Sequence, residues 1–150
     1  MKVYEADHIR NVTLVGHSGS GKTQLTSAML FDTDSVNRLG LVDEGTSATD
    51  YDEEEISRKH TLSASTAFAE WGKTKINLID TPGMANFFSD ARSSLRIADA
   101  ALIVVDAVAG AEVLTEKVWT AAEEMNLPCM VVLNRLDRER ASLSRALESL

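Results

Sequence analysis

The stretch Ile9-Arg10-Asn11-Val12-Thr13-Leu14-Val15 runs directly into Gly16-His17-Ser18-Gly19-Ser20-Gly21-Lys22-Thr23 and then Gln24-Leu25-Thr26-Ser27-Ala28-Met29-Leu30-Phe31. The first segment has the apolar, β-branched character of a short buried strand, and the last has helical spacing. Between them lies G-x-x-x-x-G-K-T, a phosphate-binding loop in its required strand–loop–helix context. Its glycines let backbone N–H groups from His17 to Gln24 curl around phosphate oxygens, and the following helix adds its positive end. Lys22 is placed to reach the terminal phosphates, and the Thr23 hydroxyl to ligate magnesium. A glycine-rich turn with an incidental lysine is the competing explanation, but a chance match in a chain of this size comes to about half a percent.

Three further elements lie downstream. Asp80-Thr81-Pro82-Gly83 follows the apolar run Ile76-Asn77-Leu78-Ile79. A carboxylate at that strand end suits magnesium held through water, because magnesium keeps much of its hydration shell. Gly83 can bring its N–H against a γ-phosphate. Alone, DTPG is also a good turn; its place after a strand and a phosphate loop gives it meaning. Asn134-Arg135-Leu136-Asp137 follows Cys129-Met130-Val131-Val132-Leu133 and has the pattern of a guanine-recognition box. A carboxylate at Asp137 accepts from both N1–H and the 2-amino group of guanine, whereas adenine presents an acceptor and nothing. A site built on such bonds rejects the wrong base by roughly 10⁴-fold. In isolation NRLD reads more simply as a helix start capped by Asp137. Thr61 is a candidate second hydroxyl for magnesium and the γ-phosphate.

Working outward, Asp32 to Lys59 is polar and without a period, a loop of functional length, and its acidic run Asp52-Glu53-Glu54-Glu55 reads as a solvated face. Strands are expected over Thr61–Trp71, alternating like an edge strand, and Thr74–Ile79, joined by Gly72-Lys73. A helix is expected over Phe87–Ile97. Ala100–Ala107 (AALIVVDA) is continuously apolar, as in a strand covered on both faces. A helix over Glu112–Met125, a strand over Cys129–Leu133 and a final helix over Asp137–Leu150 complete an α/β pattern. Strands alternating with helices imply a mostly parallel sheet with ligand loops at the strands' carboxyl ends.

The 150 residues, 44% hydrophobic and 25% charged, suffice for one domain with its own core. The net charge of −8 argues against direct nucleic-acid binding by this segment. No apolar stretch approaches the roughly 20 residues of a membrane span. The start lacks a signal-peptide core, so a cytoplasmic protein without a membrane partner is expected. The single Cys129 lies in an apolar run and reads as a buried, inert thiol.

With these residues assembled, the chain resembles elongation factor G, and especially the elongation-factor-G-like branch. The resemblance is carried by HIRNVTLVGHSGSGKT, DEEEISRKHTL ending at Thr61, INLIDTPG, ARSSLRIADAALIVVDAVAGAEVLTEKVW and VVLNRLDRERA. It implies a GTPase-type fold of the phosphate-loop class with helices on both faces, GTP or GDP with magnesium as ligands, and a ribosomal partner met through the full-length protein. It also implies that residues 1–150 stop before the last strand and helix of the G domain.

Several positions depart from the family pattern. Gly19 replaces an aspartate, and Arg135 replaces the lysine that stacks on the base, a task open to arginine as well. Ser18 and His60 replace the apolar residues flanking the water-orienting histidine, and Met84 stands at that histidine's own position. A thioether cannot orient water well, which implies slow intrinsic hydrolysis. His60, next to Thr61, is either a substitute imidazole or a polar residue on a mobile loop. The leading expectation is a GTP hydrolase. The alternative is a GTP/GDP-binding switch module with little hydrolysis, and an ATPase or kinase on the same loop is disfavoured by NRLD.

Overall fold

The computed structural model describes residues 2–150. Five strands form one sheet in the order β2-β3-β1-β4-β5: β1 Ile9–Val15, β2 Ser65–Trp71, β3 Thr74–Asp80, β4 Ala100–Asp106 and β5 Cys129–Asn134. β3, β1, β4 and β5 run parallel, and β2 pairs antiparallel with β3. β2 is thus an edge strand, in keeping with its alternating sequence. The helices are α1 Lys22–Asp32, α2 Glu53–Arg58, α3 Phe88–Leu95, α4 Val113–Glu124 and α5 Leu143–Glu148.

The apolar run of β4 explains the layering. Leu102 and Val104 face one side, where Leu14, Leu78 and Ala69 meet Leu25, Met29 and Leu30 of α1. Ala101, Ile103 and Val105 face the other, against Ala91 and Leu95 of α3 and Leu114, Val118, Ala121 and Ala122 of α4. Both faces of the central strand are therefore sealed, each large aliphatic side chain contributing about 1.5–3 kcal/mol of transfer free energy. This is the doubly covered α/β sheet expected from the sequence.

Several expectations need correction. The segment from 32 to 59 is not structureless: it holds a 3₁₀ turn at Val42–Glu44 and α2, whose N-cap Asp52 accepts from the Glu54 N–H. Glu55 is not on a solvated face but buried at 2% exposure. β2 begins at Ser65 rather than Thr61. The final helix begins at Leu143, because the Ser142 hydroxyl caps it by accepting from the Arg145 N–H. Residues 136–140 form turns instead, so Asp137 is not a helix cap. Cys129 is exposed at the start of the edge strand β5, where one side of the ladder is open. Partial desolvation and the Glu123 carboxylate still push its thiol up, so it stays protonated and inert. Among the described residues no helix is long and apolar enough to cross a membrane.

Candidate functional site

The parallel register brings the three motifs to one edge of the sheet. Leu14 pairs with Asp80, Val15 with Ile103, and Asp106 with Asn134, so the carboxyl ends of β1, β3, β4 and β5 open on the same side. From β1 the chain builds β2 and β3 on one side and then crosses over β1 to place β4 and β5 on the other, the switch point where α/β sheets form their crevices. A cleft of about 290 Å³ occupies this position. It is lined by Ser18, Gly19, Gly21, Lys22, Thr23, Gln24, Asp50, His60, Thr61, Gly83, Met84 and Arg135, among others.

Lys22 opens α1 and is buried. Its ammonium donates to the carbonyls of Gly16 and His17, both at 3.0 Å. Burial pulls its pKa down to about 8, against the pull of Asp80 and Asp50. It remains mostly charged at neutral pH, poorly solvated and ready to trade carbonyl partners for phosphate oxygens. Gly83 reaches the same point from β3: a Cβ there would lie 2.5 Å from Lys22 Nζ and 2.7 Å from the Ser18 nitrogen. Only a glycine allows that approach.

A cluster of oxygens lies beside the lysine. The Thr23 and Thr61 hydroxyls are 2.9 Å apart, and Thr61 donates to Asp50 Oδ1 at 2.9 Å. Thr49 donates to Asp80 Oδ2 at 3.0 Å. The other carboxylate oxygens, Asp50 Oδ2 and Asp80 Oδ1, are buried with no protein partner. Burial drives the Asp80 carboxyl up to about 6 and raises that of Asp50 as well. Two hydroxyls and two under-satisfied carboxylates form a hard, all-oxygen donor set. It suits a cation that keeps several waters and takes further ligands from phosphate, as magnesium does. Among the described residues no group of three His, Cys, Asp or Glu side chains is placed to hold a metal by itself, so the site would be completed by the ligand it serves.

The guanine box meets the phosphate loop directly. Asn134 Nδ2 donates to the Ser20 carbonyl at 2.9 Å, and a Cβ on Gly21 (φ +93°) would collide with that nitrogen. Asn134 Oδ1 accepts from the Arg135 N–H, and the Arg135 guanidinium pairs with Asp106 at 3.2 Å. Burial pushes the Asp106 carboxyl up, but the backbone N–H of Val108 and the Arg135 charge outweigh it and hold the group below its usual range. Arg135 is thereby fixed at the rim of the cleft. Asp137 is exposed and does not line it.

Other predicted residues contribute differently from their side-chain expectation. Gln24 lines the cleft, but its amide is bonded to the Gly40 carbonyl and the Val42 N–H. His17 is buried and points away, with Nδ1 3.1 Å from the Thr115 hydroxyl in the capping box of α4. Burial lowers its pKa, so the ring is neutral. Ser20 enters through its carbonyl, its hydroxyl being buried without a partner. Met84 and His60 both line the cleft from exposed positions, beside Ser18. Sequence reasoning missed Asp50, Thr49, Glu55 and Asp106. Only Asp106, at the end of the apolar run, carried a positional signal.

The chain matches the model of the elongation factor Tu GTP-binding domain over residues 7–150. It is 40% identical over 144 residues to the mitochondrial ribosome-releasing factor 2 of Debaryomyces hansenii, covering 96% of this chain and 17% of the relative. It is 37% identical over 149 residues to elongation factor G of Petrotoga mobilis, covering 99% of the chain and 21% of the relative. The chain thus spans about a fifth or less of these curated relatives. Among solved structures, one from Thermus thermophilus superposes with a TM-score of 0.90 at 43% identity, covering 95% of this chain and 22% of that one. The elongation factor SelB of Methanococcus maripaludis, solved with the GTP analogue GppNHp, shares the fold at a TM-score of 0.69 and 23% identity.

Proposed function

This chain belongs to the elongation factor Tu GTP-binding domain family, in its elongation-factor-G-like part, and from that premise we propose that it binds GTP with magnesium, hydrolyses it to GDP and phosphate, and uses the γ-phosphate as a switch coupled to the ribosome in the full-length protein. The observation that carries this reading is the convergence of Lys22, Thr23, Asp50, Thr61 and Gly83 on one cleft, with a buried oxygen of Asp50 and one of Asp80 lacking partners.

In this reading the backbone N–H groups of the phosphate loop and Lys22 hold the β- and γ-phosphates. The Thr23 and Thr61 hydroxyls and the Asp50 and Asp80 carboxylates are the groups that would hold magnesium. Magnesium, when bound there, would supply positive charge against the phosphate oxygens during transfer. The Gly83 N–H donates to the γ-phosphate, which ties the start of the Met84 turn to the nucleotide state. Arg135, fixed by Asp106, lies along the purine, and Asp137 accepts from its N1–H and amino group. Water attacks the γ-phosphorus in line, the bond to the β–γ bridging oxygen breaks with GDP as leaving group, and the water's proton passes to solvent or phosphate. The residues nearest that path, Met84, Ser18 and His60, offer no strong water-orienting group except the His60 imidazole, so the intrinsic rate is slow.

The test has two parts. Competition between GTP and ATP for the purified protein should favour GTP by orders of magnitude. Single-turnover hydrolysis, measured with and without ribosomes, should be slow alone and faster with them. Equal binding of ATP, or no hydrolysis under either condition, would overturn the respective half of the assignment.

A further inference from the structure

Within the acidic run Asp52–Glu55, one carboxylate is set apart. Glu55 is 2% exposed and is the one residue of α2 that is buried. No cation partners it among the described salt bridges. Its Oε1 instead accepts from the backbone N–H groups of Leu62 at 2.9 Å and Ser63 at 3.2 Å, with the Ser63 hydroxyl at 3.5 Å. A buried carboxylate without such donors would be strongly disfavoured, and charge-assisted bonds to two backbone N–H groups are among the stronger neutral-partner contacts available to it. These donors belong to the two residues that directly follow Thr61.

We propose that Glu55 is the positioning residue for Thr61: it clamps the backbone just past the threonine, so that the Thr61 hydroxyl meets Thr23 and Asp50 at the magnesium position. The inference rests on the proposed role of Thr61 toward magnesium and the γ-phosphate. A six-residue helix has too few internal bonds to persist alone. Locally, α2 is secured by the Asp52 cap and the Arg58–Glu54 pair, with Glu55 its link to the cleft. The clamp thus joins the helix to the threonine. Losing the γ-phosphate at one end and losing the clamp at the other should have the same consequence, a released Thr61. Because GDP offers no γ-phosphate, its binding should depend little on the clamp.

The experiment measures affinities of the full-length protein for GDP and for GppNHp with magnesium, in wild type, Glu55→Ala, Glu55→Gln, Thr61→Ala and the Glu55→Ala/Thr61→Ala double variant. Glu55→Ala should weaken GppNHp by about tenfold or more, the scale of a lost hydrogen bond to a charged group, and leave GDP within about twofold. Glu55→Gln keeps an oxygen acceptor for the same two N–H groups and should retain most of the affinity. The double variant should be no weaker than Thr61→Ala, since residues acting as one unit are not additive. Equal losses for GDP and GppNHp would reduce Glu55 to a general structural role and overturn the proposal. So would additive losses, or a Glu55→Gln variant as weak as Glu55→Ala. If Thr61→Ala weakens GppNHp while Glu55→Ala is silent, the clamp alone falls; if Thr61→Ala is itself silent, the assigned role of Thr61 falls with it.

Discussion

Protonating Asp80 should uncouple magnesium from nucleotide binding at a pH where an ordinary carboxylate would still be ionised. The Asp80 side chain is fully buried; one oxygen is held by Thr49 and the other has no protein partner. Burial, partly offset by Thr23, Lys22 and Thr49, places its pKa at about 6. In the proposed site the ionised form is the one that would accept from magnesium-bound water. The magnesium-dependent affinity is therefore full above about pH 7 and is lost as pH falls through about 6. At pH 5 such a group is about 10% ionised, against about 90% at pH 7, which corresponds to roughly a tenfold loss, or about 1.4 kcal/mol. A carboxylate at the ordinary value of 3.8 would change by only about 6% over the same range. The assay is titration of GDP by calorimetry or a fluorescent analogue between about pH 5 and 7.5, with magnesium and with EDTA, in wild type and Asp80→Asn. Titration of the nucleotide's own phosphate is common to both proteins and cancels in the comparison. Parallel pH profiles for wild type and Asp80→Asn would refute the reasoning.

Asp137→Asn should lower GTP affinity far more than ATP affinity and admit xanthine nucleotides, read by competition binding in the full-length protein; unchanged GTP binding would sink the guanine assignment. Met84→His should raise single-turnover hydrolysis by about 10²-fold or more, the scale of a restored general acid–base or water-orienting group. If His60 is the working imidazole instead, His60→Ala abolishes turnover, and a wild-type rate insensitive to both changes would defeat the slow-switch account. Gly83→Ala places a methyl group against Lys22 Nζ, so it should weaken GppNHp far more than GDP. Comparable binding of the two nucleotides by that variant, with wild-type affinity, would show that Gly83 does not approach the γ-phosphate.

The fold is legible in the sequence because its signals are local and repeated. The residues of β4 are apolar because both faces are covered, and the phosphate loop requires a strand before it and a helix after it; each fact fixes a layer. The ends of elements are less legible. The sequence pattern carries the final helix back to Asp137, yet Ser142 supplies the cap and the charged run before it turns instead. Cys129 reads as an interior thiol because β5 reads as a buried strand, but its first two residues are exposed at the sheet's edge.

The site divides along the same line. Residues fixed by a contiguous motif, such as Lys22, Thr23, Asp80 and Asn134, can be assigned from spacing, because the motif and its strand end travel together. Asp50, Thr49 and Glu55 cannot, since they act from a segment with no period, through contacts that span 7 to 31 positions in the chain. Three acidic residues in sequence, Glu53, Glu54 and Glu55, are chemically alike; only the turn of α2 sends the third inward while the first two stay in water. Charge in a polar loop is therefore a poor guide until the helix phase is known. Once it is known, a buried carboxylate must have donors, and here those donors directly follow Thr61, whose hydroxyl meets Thr23 and Asp50 in the cleft. That requirement ties Glu55 to the backbone that carries Thr61.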